Sequence, residues 1–262
     1  MALTMVPDAV ALPDVLPTER LLESGKPAPV IRAGLRQIDD LRNVGSVLLC
    51  WAQPAATMAL AAWWAHPVGY VLAAVAMGFA HARLAILGHE AAHKLLFTNK
   101  RANDLVGRWV LSYPAFIPFE AYRRSHFAHH KEEFGPNEPD MNLYQGYPIT
   151  KASFRRKMWR DGRGSTGWKN LKGLGYALRS TGARPVALRI VGAQVVLLVL
   201  ATLAGRPELY VGLWLDPWLT AWRVVNRLRS IAEHGGMERS PDRRRTTHTV
   251  RQSLLALSLI HI

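Results

Sequence analysis

Hydrophobic residues are concentrated in two long blocks, and most Lys and Arg residues lie before, between and after them. The first block, residues 46–88, is too long for one membrane crossing of about 20 residues but sufficient for two. The His-Pro-Val-Gly sequence at 66–69 is typical of the turn in a helical hairpin. Residues 188–225 form the second block, which a Gly-Arg-Pro sequence at 205–207 divides into two shorter spans. The pattern therefore predicts about four transmembrane helices in two hairpins.

Two hairpins leave the N-terminal, middle and C-terminal segments on one side of the membrane, and all three are rich in Lys and Arg. The positive-inside rule makes that side cytoplasmic. Within the middle segment, residues 103–122 are apolar but contain Pro114 and Pro118, which favours an interfacial over a spanning segment. The basic and aromatic stretch at 151–180 is typical of an interfacial helix. We predict an all-α, multi-pass membrane protein with a cytoplasmic helical cap.

Composition narrows the function. The net charge is +14, yet no recognition helix, zinc finger or aromatic-basic strand pattern accompanies it, so we expect lipid headgroups and not nucleic acid as its partner. The single cysteine, Cys50, lies in an apolar segment and offers neither a disulfide framework nor a thiolate metal site. Any metal must be held by His, Asp or Glu. Residues 1–43 contain Pro and acidic residues where a signal peptide needs an apolar core, which predicts a cytoplasmic leader.

Histidines recur at the predicted cytoplasmic ends of the spans. One pair is spaced i and i+4 in GHEAAH, three are spaced i, i+3 and i+4 in SHFAHHKEEFGPNEPD, and one follows the fourth span in RSIAEHGG. These spacings place each group on one helix face. The six candidate metal ligands are His89, His93, His126, His129, His130 and His234.

Six imidazoles exceed the three or four ligands of a single zinc site, which favours two metal ions. Iron is the preferred metal because it can activate dioxygen. HEAAH alone also matches the zinc-protease pattern, with Glu90 as general base, and this alternative stays open.

We expect His66 in the outer turn and His248 to be surface residues, and His81 to be a buried side chain with one hydrogen bond.

These motifs resemble the membrane fatty acid desaturase superfamily, whose histidine boxes read HxxxH, HxxHH and a later HxxHH. GHEAAHKLLFTNKRANDLVG looks like the first box and its continuation, SHFAHHKEEFGPNEPD like the second, and NRLRSIAEHGG like the segment after the fourth span. The resemblance covers about residues 44–250. It is specific for the superfamily but not for one reaction within it.

The resemblance implies a di-iron site in which the six histidines are ligands and Glu90 contacts a ligand without binding metal. Dioxygen and two electrons would then drive hydrogen abstraction from an acyl chain, giving a double bond. Related proteins carry an Asn four residues before the late His, and this chain has Ser230 there, which puts that contribution in doubt. Because the sequence has no fused cytochrome b5-like segment, the resemblance implies an external donor of the ferredoxin or cytochrome b5 type.

The last six residues, LSLIHI, match the translation of a transposon-based sequencing adaptor end. We therefore predict a desaturase-like domain at 44–256 that lacks its third box, and adaptor sequence at 257–262. On this hypothesis His261 is not a ligand, and we expect the chain as written to be inactive. The alternative is a natural tail on a divergent two-box protein.

Three function classes remain. The first is an O2-dependent fatty acid desaturase acting on an acyl-lipid, acyl-CoA or acyl-carrier substrate, with a hydroxylase or ketolase of the same superfamily as its nearest alternative. The second is the membrane zinc protease, which leaves HFAHH without a purpose. The third is a membrane protein that binds metal or lipid without catalysis.

Overall fold

The computed structural model describes residues 20–247, which contain helices and no β-strand. The predicted adaptor segment, His248 and His261 lie outside these residues, as does the first part of the predicted leader. The helices are α1 (Pro29–Leu35), α2 (Asp40–Trp64), α3 (Pro67–Ala92), α4 (Lys100–Leu105), α5 (Phe119–Glu132), α6 (Met141–Tyr144), α7 (Lys151–Gly162), α8 (Ser165–Arg179), α9 (Arg184–Leu203), α10 (Pro207–Leu209), α11 (Asp216–Leu219) and α12 (Ala221–His234), with π-helical segments at Val106–Ser112 and Tyr210–Leu215 and a 3-10 turn at Arg243–Arg245. The predicted all-α class is confirmed.

Within the described residues, three helices are long and apolar enough to cross a membrane: α2, α3 and α9. The predicted first hairpin has its turn where expected, because α2 ends at Trp64 and α3 begins at Pro67 with His66 as its N-cap. Ala65 joins them in the left-handed conformation, with φ of 50°. Helix α2 begins earlier than hydropathy predicts, because the Asp39 side chain caps it by accepting a hydrogen bond from the Arg42 amide at 3.0 Å.

The region predicted as the fourth span is not one continuous helix. It is divided into α10, the π-helical segment Tyr210–Leu215, α11 and the start of α12. Pro217 lies in the first turn of α11, where its missing N–H is tolerated. The region is as apolar as predicted, but its backbone is divided into short segments and does not form one long helix.

The described chain forms two compact units. Unit 1 comprises residues 20–37, 124–158 and 227–247, and unit 2 comprises residues 38–123 and 159–226. Helix α3 is the central helix of unit 2, because half of its most apolar window is buried, against 17% for α2 and α9. It packs against α2, α11 and both π-helical segments. At Gly78 a Cβ atom would lie 2.8 Å from the Ala221 Cβ, so only glycine permits this approach.

The predicted interfacial helix at 151–180 is two helices, α7 and α8. They are separated at Gly164, whose φ of 81° is a left-handed conformation that glycine adopts without strain. Unit 1 contains the start of α7 together with α1, α6, most of α5 and the end of α12. It includes Arg227, which is buried and donates a hydrogen bond to the Leu143 carbonyl at 3.2 Å.

The end of α3 is held by side chains from the segment that follows it. Asn103 is fully buried; its Nδ2 donates to the Ala91 carbonyl at 2.9 Å. Its Oδ1 accepts hydrogen bonds from the Leu96 and Phe97 amides at 3.1 and 3.3 Å. The last carbonyls of a helix have no partner within it, so this amide supplies what α3 lacks. We call Asn103 and Arg123 the α3 clamp.

Arg123 completes the clamp. Its Nη2 donates to the Ala91 carbonyl at 3.0 Å and its Nε to the Ala92 carbonyl at 3.0 Å. The same Nη2 donates to Asp104 at 2.6 Å. Burial acts to raise the pKa of the Asp104 carboxyl, but hydrogen bonds from Arg123 and Asn103 outweigh it, and the net pKa is lowered. Asp104 is therefore ionised at neutral pH and holds the guanidinium in place.

We predict that Asn103→Ala lowers the free energy of unfolding by about 3 kcal/mol, because it leaves two buried amides without acceptors. The measurement is the denaturation midpoint of the purified protein in detergent. Asn170→Ala, on the exposed face of α8, is the matched control and should change stability by less than about 0.5 kcal/mol. Equal effects of the two variants would contradict a role for the clamp.

Candidate metal centre

The first histidine pair lies at the C-terminal end of α3, in unit 2. His89 is in the last turn of the helix and His93 is its C-cap residue. Their ring centroids are 4.6 Å apart, as the i, i+4 spacing predicts. Both rings are partly exposed, so neither is closed off from a ligand. The α3 clamp fixes the backbone of the same turn.

Glu90 contacts the first of these imidazoles. Its Oε1 lies 2.9 Å from His89 Nδ1. A carboxylate on one ring nitrogen fixes the tautomer and leaves the other nitrogen as a metal ligand. The contact is the arrangement expected if Glu90 orients a ligand and does not itself bind metal.

The second cluster lies in unit 1, on α5. The Nε2 atoms of His126 and His130 are 3.0 Å apart. Two nitrogens bound at right angles to one ion, each at about 2.1 Å, would also be separated by about 3 Å. Because the residues are one helical turn apart, the α-helix places both side chains on one face. The separation is compatible with two ligands of one metal ion.

His129, on the same helix, is buried and held through its other nitrogen. Glu138 Oε1 lies 2.8 Å from His129 Nδ1, and the Tyr144 hydroxyl lies 3.4 Å from the same atom. The Glu138 carboxylate also accepts hydrogen bonds from the Phe134 and Asp140 amides at 3.3 and 3.1 Å. Its orientation is therefore fixed by the loop that follows α5, and the His129 Nε2 is left for a ligand.

His234, the last residue of α12, joins this cluster from a distant part of the sequence. Its ring centroid is 5.1 Å from that of His129. The Thr246 carbonyl lies 3.0 Å from His234 Nδ1 and accepts its proton in the tautomer that leaves Nε2 free. Ser230 lies buried one turn earlier on the same helix. Unit 1 thus brings together four of the six predicted ligands.

Carboxylates surround this cluster. In unit 1, ligand atoms lie within 4.8 Å of one another in two groups, His129 with His130 and Glu133, and His129 with Glu138 and Asp140. Burial raises the pKa of the Asp140 carboxyl; the Glu138 charge adds to this increase and His129 opposes it. Imidazole and carboxylate together form a donor set suited to iron.

A neutral hydroxyl and a guanidinium complete the surroundings. Burial, with the charges of Glu138 and Asp140, raises the pKa of the Tyr144 hydroxyl, so it stays protonated at neutral pH. Arg243 donates to Glu133 at 2.6 Å and to the His130 carbonyl at 2.9 Å. The guanidinium thereby holds the end of α5 and offsets part of the negative charge beside the histidines.

Sequence reasoning did not identify Glu138, Thr246 or Arg243. Glu138 had a signal in the acidic sequence NEPD directly after the second box, whereas a backbone carbonyl such as that of Thr246 leaves none.

The expectations for two other histidines are confirmed. His66 is exposed and caps α3, and His81 is fully buried with its Nε2 3.0 Å from the Trp214 carbonyl.

The sequence is similar to known proteins over most of its length. Residues 61–261 match the family model for fatty acid desaturase. A dihydrorhizobitoxine desaturase of Bradyrhizobium elkanii is 27% identical over 192 residues, which are 67% of this chain and 53% of that protein. A chloroplastic omega-6 fatty acid desaturase of Brassica napus is 30% identical over 129 residues, 48% of this chain and 25% of that protein. The chain thus matches about half the length of the first relative and a quarter of the second. Because the family model covers most of the sequence, the chain belongs to the fatty acid desaturase family.

Proposed function

We propose that this protein is an O2-dependent acyl desaturase whose two non-haem iron ions are held by His89, His93, His126, His129, His130 and His234. The observation that carries the proposal is the 3.0 Å separation of the His126 and His130 Nε2 atoms, in a chain of the desaturase family. Two imidazole nitrogens at this distance could bind one metal ion together.

Bound iron, with dioxygen and two electrons from an external carrier, would supply an oxidant able to abstract hydrogen from an unactivated acyl chain. The contribution of the polypeptide is to orient the imidazoles. Glu90 would hold His89, Glu138 would hold His129, and the Thr246 carbonyl would hold His234, each through Nδ1. Every such contact directs an Nε2 atom toward metal and keeps it unprotonated.

The substrate would be an acyl chain delivered from the membrane, and the donor a separate protein of the ferredoxin or cytochrome b5 type. Three membrane-length helices and the family assignment support a lipid substrate. We further propose a multi-pass topology with the histidines on the cytoplasmic side, on the basis of the Lys and Arg distribution. One relative is named for dihydrorhizobitoxine and the other for fatty acids, so the substrate panel should include both classes.

The proposal predicts O2-dependent loss of two hydrogens from the substrate. The protein expressed from its source gene is supplied with a ferredoxin or cytochrome b5 system and the substrate panel, and products are analysed by mass spectrometry. A gain of one oxygen atom instead would indicate a hydroxylase or ketolase with the same ligand set. Absence of any O2-dependent product, in protein that contains iron, would contradict the catalytic proposal.

Metal analysis tests the ligand assignment separately. We predict that His126→Ala and His130→Ala each weaken iron binding beyond the roughly 10–100-fold loss typical of residues that only orient a ligand. Iron per chain is measured by plasma mass spectrometry after purification in detergent. His66→Ala is the matched control because His66 is exposed at the start of α3. One zinc per chain without iron would support the protease alternative and contradict the di-iron proposal.

Glu138→Gln tests the orienting contact. The amide preserves the size of the side chain but removes the charge that faces His129, so we expect iron affinity to fall about 10–100-fold. Competition with a coloured chelator measures the affinity, and the thermal unfolding midpoint of the same sample reports on folding. Glu208→Gln, an exposed carboxylate, is the control. Unchanged affinity in the folded Glu138→Gln protein would rule out the orienting role.

A further inference from the structure

Helix α8, in unit 2, has an inner face that packs against protein. The buried hydrophobic residues form a larger and a smaller cluster. Leu171 packs against the smaller one, which contains Trp218 and Trp222, and Leu174 packs against the larger one. At Gly167 a Cβ atom would collide with the backbone of Leu219, so the helix is held in close contact there. The orientation of α8 about its own axis is therefore fixed, and its opposite face is turned away from the core.

That outer face combines aromatic and cationic side chains. Its members are all exposed and fall within about 100° of one another on a helical wheel; they are Trp168, Lys169, Lys172, Tyr176 and Arg179. Trp168 is 56% exposed and Tyr176 is 65% exposed, which is high for large aromatic residues. The sequence has no acidic residue between Asp161 and Glu208, so nothing on α8 neutralises these charges.

The position of α8 along the chain brings its C-terminal end close to a membrane-length helix. Residues 180–183 alone separate α8 from α9, which is one of the three membrane-length helices. Four extended residues span at most about 14 Å, so the end of α8 lies near the level at which α9 would enter the bilayer. Tryptophan and tyrosine are enriched at this level, and Lys and Arg there contact headgroups.

We propose that the outer face of α8 is a binding surface for anionic phospholipid headgroups of the leaflet that α9 enters. The two aromatic rings would insert at the headgroup boundary, and Lys169, Lys172 and Arg179 would contact the phosphates. A zwitterionic surface would satisfy the rings but not the three unopposed positive charges. The proposal does not depend on iron or on catalysis, so it can fail or hold independently of the desaturase assignment.

Fluorescence quenching of Trp168 tests the proposal in the full chain reconstituted into bilayers. The probes are brominated phosphatidylglycerol and brominated phosphatidylcholine at equal mole fraction. The Trp168 signal is the difference between the wild-type protein and Trp168→Phe, because the chain has nine tryptophans. We expect quenching by the anionic lipid to exceed quenching by the zwitterionic lipid severalfold, because each of the three positive charges favours the anionic headgroup.

A charge variant separates electrostatic attraction from simple membrane contact. In the combined variant Lys169→Gln, Lys172→Gln and Arg179→Gln, the quenching ratio should fall to about one. The matched control replaces three exposed arginines elsewhere, Arg32, Arg36 and Arg42, and should retain the wild-type ratio. Equal quenching by both lipids in the wild type, no quenching by either, or an unchanged ratio in the α8 charge variant would each overturn the proposal.

Discussion

The backbone carbonyls at the end of α3 must find hydrogen-bond donors outside their own helix, and the candidate site depends on how they do. The α3 clamp supplies these donors from Asn103 and Arg123, directly beside the turn that carries His89. An unsatisfied carbonyl in so apolar a protein would be costly. The sequence between the two histidine boxes therefore supports the first box, because its side chains fix the end of the helix that carries His89 and His93.

Imidazole orientation follows a second, more local constraint. A neutral histidine presents one protonated and one free nitrogen, and the partner of the first decides which atom can bind a metal. Glu90, Glu138 and the Thr246 carbonyl each contact an Nδ1 atom. Two kinds of acceptor therefore produce the same result: a glutamate carboxylate, from an adjacent residue or from a loop, and a backbone carbonyl. The common result is that Nδ1 is occupied in each case, which makes Nε2 the nitrogen expected to bind a metal.

The parts of the structure that sequence predicts are those governed by helix periodicity and bilayer thickness. The turn before Pro67 and the convergence of His126 and His130 follow from hydropathy and i, i+4 spacing alone. Asn103 and Thr246 could not be assigned roles in this way, because their partners are set by tertiary contacts. The segmented backbone of residues 207–225 was missed for a different reason: hydropathy sums side chains and does not register π-helical turns.

Acidic residues are few in this chain and are unevenly distributed along it. The chain has 19 acidic and 33 basic residues, so its carboxylates are scarce. Glu90 and Glu138 face imidazoles, and Asp104 holds the clamp, which places these acids where a fixed cation or proton is needed. Along α8 and α9 acidic residues are absent, so neither helix supplies a counter-charge for its own Lys and Arg residues. Anionic headgroups are the counter-charge that a bilayer supplies, and the same membrane would hold the acyl substrate.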